Sequence, residues 1–221
     1  MITERYRTDY DGEFVITEAK WQMGRKRLTK EWVDNSVTNT HVSNRAACIG
    51  SAADINEFDF KILQHHKGGL LATQRLQLYG TSDIAKMMRL DFVVEKHKDK
   101  LQELIDLGLN QKYITYSNPR NCFRFPGHFH NIPYFPVMLT ANLLPYIAAF
   151  DGHTEIFLLG YHDDAGFGNP AWSIQLRRLF EAYSSTKFIQ VGYPGHMPEC
   201  WKDLDNVSRL SHREFIFYAD V

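Results

Sequence analysis

Four stretches of this sequence hold side chains that can do chemistry. Gly160-Tyr161-His162-Asp163-Asp164-Ala165-Gly166-Phe167-Gly168 sets an imidazole beside two carboxylates, directly after the apolar run Glu155 to Leu159. A carboxylate next to an imidazole tunes it as a general base, which transfer to a hydroxyl group requires. Asp163 and His162, closest to the end of the run, are the candidate proton acceptors, and Asp164 orients the imidazole or takes a metal ion. A turn closed by capping carboxylates is the competing reading.

Cys48-Ile49-Gly50-Ser51-Ala52-Ala53-Asp54 delivers a glycine into a tight turn, where backbone can approach a ligand. The Ser51 hydroxyl and the amides after it suit a phosphate or ribose, and a side chain at Gly50 is expected to block that ligand with little loss of fold. Neither GxGxxG nor a P-loop is present, so a plain structural turn fits these residues equally well. Leu139-Thr140-Ala141-Asn142 opens a helical pattern with Thr140 or Asn142 as its cap, and free amides at a helix start also hold anions. Arg124-Phe125-Pro126-Gly127-His128-Phe129-His130 reads first as a structural loop; beyond that, two histidines at i, i+2 suit contact with an acceptor better than a metal, for which no third ligand is evident. His196 sits in a Gly/Pro turn after another apolar run, whereas His41, His65, His66, His97, His153 and His212 stand among charges or at element ends and read as surface residues.

The elements that must position these groups alternate. Short apolar runs at 46–49, 69–73, 90–94, 113–116, 155–159 and 188–191 read as strands. Helical spacing at 98–107, closed by Gly108, and at 139–150 and 172–183 separates several of them. That alternation predicts an α/β domain over 46–221, a Rossmann-like parallel sheet with helices on both faces and ligands at its carboxyl edge. Phe123 to Pro136, with three prolines, reads as an irregular loop. Residues 1–45 differ: Phe14–Thr17 and Leu28–Val33 flank Gln22-Met23-Gly24-Arg25, which predicts a β-hairpin extension. Lys20, Arg25, Lys26, Arg27 and Lys30 fall within eleven residues that hold no acid, a solvated hairpin or a phosphate-contacting arm.

Composition narrows the classes. The formal net charge of -1 over 221 residues gives no global field toward nucleic acid or membrane, so a nucleic-acid partner needs a local basic face. Cys48, Cys122 and Cys200 are far apart and lack metal-ligand spacing, which predicts reduced thiols and a cytoplasmic protein. No apolar segment resembles a signal peptide or reaches the roughly 18 residues of a membrane span. The GxSxG signal of hydrolases is absent.

Taken in order, these residues resemble the bacterial sialyltransferase fold over residues 46 to 192. That family's glycine turn and following acid fall on Gly50-Ser51-Ala52-Ala53-Asp54-Ile55, with Phe58-Asp59 behind; its Arg/Asn-bearing segment falls on Ala72-Thr73-Gln74-Arg75-Leu76-Gln77. Its phosphate-holding Thr-Ser-Gly falls on Leu139-Thr140-Ala141, and its Gly-x-x-Glu-Ile-Tyr-Leu-x-Gly run is matched by Gly152 to Gly160. The resemblance implies a glycosyltransferase with a UDP- or CMP-linked nucleotide-sugar, no required metal, and donor contacts from Gly50, Ser51, Ala52, Gln74, Arg75, Thr140, Ala141, Gly160 and Tyr161. Two departures matter: the first turn lacks the Asn and second Gly, and Asn169-Pro170-Ala171-Trp172-Ser173 stands where the family has its base histidine. The donor need not be CMP-sialic acid, and the base falls to the 162–164 loop.

The whole chain is also similar to proteins of T4-like bacteriophages, above all through residues 1–12. Some such phages glycosylate hydroxymethylated cytosine in their own DNA, with glucose or arabinose among the sugars. The similarity implies a DNA acceptor, met by Lys20, Arg25, Lys26, Arg27, His128, His130, Arg177 and Arg178. A nucleotide- or phosphosugar-binding hydrolase, or a non-catalytic nucleotide-binding protein, are the other classes compatible with the same edge site.

Overall fold

A computed structural model of the chain describes residues 2–9, 12–34, 43–50, 63, 76–162, 171–193, 195 and 197–218. The N-terminal hairpin pairs β1 (Gly12–Gln22) with β2 (Arg25–Asp34), antiparallel. Met23 and Gly24 both have positive φ (51° and 72°), as in the two-residue turn whose twist matches that of the strands. A bulge between Ile16 and Glu18 bends β1.

The remaining strands form one parallel sheet: β3 (Arg45–Ile49), β4 (Gln77–Gly80), β5 (Phe92–Val94), β6 (Ile114–Ser117), β7 (His130–Asn131), β8 (Glu155–Leu159), β9 (Lys187–Val191) and β10 (Val207–Leu210). Their spatial order is β10-β9-β8-β3-β4-β5-β6-β7. Between them run α1 (Ser82–Met87), α2 (Lys98–Asp106), α3 (Leu109–Lys112), α4 (Pro119–Arg124), α5 (Thr140–Phe150) and α6 (Ala171–Ala182), with α7 (His212–Tyr218) after β10. Two-sided burial explains the apolar runs of the central strands β3 and β8. Ala46 and Cys48 join Tyr79, Ile156 and Leu158 against α5 and α6, while Ala47 and Ile49 join Leu78, Phe157 and Leu159 against α1, α2 and Phe215 of α7. Successive residues of one strand thus feed opposite cores.

The chain winds outward from β3 to β7, then α5 carries it back to the other side of β3. The direction of winding therefore reverses between β3 and β8, and a crevice opens outside the carboxyl ends of strands at such a point. The expected α/β sheet and its hairpin are both present. Three local expectations change. Phe123 and Arg124 end α4, and His130–Asn131 pairs with β6, so only part of 123–136 is irregular. Leu139, not Thr140 or Asn142, is the cap residue of α5; it gives no side-chain bond, and Asn142 is buried with its amide donated to the Trp172 carbonyl (3.0 Å). His153 is buried beside Tyr79, because the chain turns inward after α5. The 69–73 run lies outside the described residues. No described helix is long and apolar enough to cross a membrane.

Candidate functional site

The switch point is closed by glycines. The Gly50 amide, just past β3, donates to the Leu159 carbonyl of β8 at 2.8 Å. A Cβ on Gly50 would stand 2.8 Å from the Gly160 carbonyl oxygen and 3.3 Å from the Tyr161 ring. The close approach of two backbones dictates this glycine, so a larger residue would disturb the fold and not only a ligand. Gly160 has φ of 72° and turns the chain sharply at the end of β8.

The turn delivers Tyr161 inward, and Pro145 explains where it goes. A proline has no N–H, so Pro145 leaves the Ala141 carbonyl one turn back without its helical partner. The Tyr161 hydroxyl donates to that carbonyl at 2.6 Å. The bond fixes the start of α5 against the end of β8. Tyr161 is completely enclosed, and burial, with the nearby Cys48, holds its phenol well above the ordinary range. His162 follows and is buried. Asp163, Asp164, Ser51, Ala52, Gln74, Arg75 and His196 lie outside the described residues.

Beside the switch point, a cleft of about 330 Å³ opens at the carboxyl ends of β4 and β5. Thr140 and Ala141 line it from α5, Thr81 from the end of β4, and Glu95, Lys96 and His97 from the end of β5. The first amides of α5 lack a side-chain cap, leaving donors of the kind that bind anions. Thr81 is 4% exposed and its hydroxyl has no hydrogen-bond partner. Glu95 is anchored: it accepts from the Ser82 hydroxyl (2.5 Å) and from the amides of Lys96 and His97 (both 2.8 Å). The Lys96 ammonium donates to the Met138 carbonyl, and burial lowers its pKa against the pull of Glu95. Lys100 and Asp83 pair at the rim. Sequence reasoning missed Thr81, Glu95 and Lys96. Their signal was present in two polar triplets that each follow a buried strand, Thr81-Ser82-Asp83 and Glu95-Lys96-His97.

The acceptor candidates divide. The hairpin register places Lys26 and Lys30 in one row of side chains with Phe14, Leu28 and Trp32, and Lys20, Arg25 and Arg27 in the alternate row. Lys26 sits over the Phe123 ring of α4 at 3.7 Å, while Lys20 pairs with Glu18. His128 is hydrogen-bonded to Asn110 of α3 (2.9 Å) and His130 to Glu13 of β1 (3.0 Å), so the first ties the segment after α4 to α3 and the second docks the hairpin. Arg177 meets Glu181 (2.8 Å), both oxygens of Asp203 (2.6 and 2.9 Å) and the Cys200 carbonyl; it ties α6 to the segment before β10. Arg178 is exposed beside Ile2. Among the described residues, no group of three or more His, Cys, Asp or Glu side chains comes together to hold a metal ion.

Two candidate sites therefore share the carboxyl edge of the sheet, a polar cleft at β4, β5 and α5 and the face of the hairpin row that carries Lys26 and Lys30. Comparison with protein-family models, with curated proteins and with solved structures finds no match to the chain.

Proposed function

We propose that this protein is a glycosyltransferase that takes a nucleotide-sugar donor at the carboxyl edge of the sheet and hands the sugar to an acceptor hydroxyl, with 5-hydroxymethylcytosine in DNA as the leading acceptor. One observation carries the donor half: the buried, unpartnered Thr81 hydroxyl and the uncapped first turn of α5 line one cleft beside the β3/β8 switch point. Unsatisfied donors in a walled cleft favour an anionic, hydroxyl-rich ligand, and a sugar diphosphate has both characters. Thr140, Ala141 and Lys96 hold the phosphates, and Gly50, Gly160 and Tyr161 fix the start of α5 from the switch point behind the cleft. Glu95, fixed by three donors, accepts from a sugar or ribose hydroxyl. Asp163 and His162 remain the residues assigned to take the acceptor proton as the new bond forms, a contribution of about 10²–10⁴-fold in rate.

The test is a mass-spectrometric screen of UDP- and CMP-sugars with DNA containing hydroxymethylcytosine. The expected result is a gain of one sugar mass on the DNA only when donor and acceptor are both present, with Asp163→Asn slowing transfer by at least about a hundredfold while donor binding persists. Donor cleavage that needs no acceptor would instead assign a hydrolase, and binding without turnover a non-catalytic nucleotide-binding protein.

A further inference from the structure

We infer that the cleft between the hairpin and the carboxyl ends of β6 and β7 seats an unpaired nucleobase of a single-stranded nucleic acid. The cleft holds about 520 Å³. Three large aromatic side chains line it while half exposed: Phe14 (54%), Trp32 (51%) and Tyr134 (52%). On the sheet beneath, Tyr79, Phe92, Tyr116 and Phe157 are fully enclosed, and the other exposed aromatics among the described residues, Trp21, Tyr193, Phe217 and Tyr218, do not line this cleft. Phe14 and Trp32 face each other across the hairpin and meet edge to face at 4.8 Å. Tyr134 stands at the mouth with φ of 51°, a conformation that a bulky residue keeps only where its surroundings hold it.

The charges around these rings select the ligand. Lys30 lines the same cleft, and Arg5 lies over the Tyr134 ring at 3.9 Å. Glu13, the one acid among the described residues of the lining, is already bonded to His130 and does not confront an incoming phosphate alone. Aromatic platforms flanked by lysine and arginine suit a chain that carries a flat π-face on every unit and a phosphate between units. A base in a duplex offers its faces only to neighbouring bases, so the cleft takes one that is unpaired or swung out of the stack. The inference rests on the transferase reading only in making the seated base, or its neighbour, the acceptor; as a binding site it stands on the cleft alone.

Fluorescence anisotropy with a labelled oligothymidylate at low salt tests it. The intact protein should bind the single strand at least tenfold more tightly than the same sequence as a duplex. Trp32→Ala and Tyr134→Ala should each weaken binding by about tenfold to a hundredfold, the range for loss of one stacking partner. Lys30→Ala should flatten the log–log salt dependence by roughly 0.7. The thermal shift produced by UDP or CMP should be the same in these variants as in the parent. If no nucleotide shifts the parent while the oligomer still binds through these residues, the donor reading fails and this one holds. No binding by the parent at low salt, equal affinity for duplex, or variants that bind like the parent would each overturn it. Photocrosslinking of 5-iodouracil DNA to the unaltered protein gives a readout that needs no variant to fold: adducts on Phe14, Trp32 or Tyr134 sustain the site, and adducts confined to other peptides overturn it.

Discussion

Thr81 is the residue whose chemistry least explains itself by stability. A buried hydroxyl without a partner is destabilising by about 1–3 kcal/mol, yet Thr81 is 4% exposed and its hydroxyl makes no hydrogen bond, although the residue caps α1 and its carbonyl accepts from Ala85. Thr81→Val removes the hydroxyl and keeps the branched shape. Urea unfolding should find the variant as stable as the parent or more so, while the thermal shift produced by UDP- or CMP-sugars falls. A structural hydroxyl would give the opposite pair: lower stability and an unchanged shift. The polar triplet Thr81-Ser82-Asp83 marks an edge position in the sequence but not an unpartnered hydroxyl, because whether a hydroxyl finds a partner depends on side chains distant in the chain. Gly50 was legible as a required glycine, but the reason was not. A turn that cradles a ligand and a backbone that touches Gly160 leave the same letter in the sequence.

At the scale of elements, the strands were legible where both faces are buried, since Ala46 to Ile49 and Ile156 to Leu159 are apolar without interruption and Phe188 to Val191 is broken only by Gln190. β4 and β10 were not: Gln77-Leu78-Tyr79-Gly80 and Val207-Ser208-Arg209-Leu210 are four-residue strands with polar members, and pairing with longer neighbours makes them strands. The proline inside α5 was invisible as a device until Tyr161 was placed. It makes a sharp prediction. Tyr161→Phe should cost about 1–3 kcal/mol by orphaning the Ala141 carbonyl, but clearly less when combined with Pro145→Ala, whose new N–H can serve that carbonyl. A double-mutant cycle by urea unfolding measures the coupling, and strictly additive losses would refute it. At the opposite edge, Glu155 opens β8 and binds Arg45 of β3 (2.9 Å) and the Tyr218 hydroxyl of α7 (2.7 Å). Burial alone would raise its pKa, but Tyr218, Arg45 and Lys187 together hold it below the ordinary 4.5. A depressed carboxylate contributes stability that is complete above the unfolded value and drains away as pH falls through the folded one. The stability gap between the parent and Glu155→Gln should therefore be open at neutral pH and close below about pH 4.

At the scale of the molecule, the first thirty-four residues reach into the α/β body as well as over it. The hairpin covers α4 and the β7 edge, where the Gly127 amide donates to the Ile16 carbonyl at 2.6 Å. Residues 2–9 run along the surface and send one side chain inside: Arg7 is 3% exposed, its Nε 2.6 Å from Asp151 at the end of α5, its guanidinium near the rings of Tyr116 and Phe150. Asp151 also accepts from the Tyr79 hydroxyl at 2.7 Å, and that hydroxyl meets His153 at 2.9 Å. Burial opposes the Arg7 charge, but Asp151, Tyr116 and Glu13 together outweigh it and hold the guanidinium above its ordinary range. A buried pair of this kind contributes little over an apolar replacement of both partners, whereas removing one partner strands the other. Arg7→Met keeps most of the side-chain volume and should cost about 3–5 kcal/mol at neutral pH, read by urea unfolding. The pH dependence separates a stranded charge from lost packing. In the variant, Asp151 is left buried without its cation, so its folded pKa rises above the unfolded value. The folded state then binds the extra proton, and stability rises as pH falls toward that of the unfolded carboxylate. The gap between parent and Arg7→Met should accordingly narrow as pH drops from 7 toward about 4. A gap that stays constant over that range would mean that packing, and not the charge pair, fastens the N-terminal segment to the sheet.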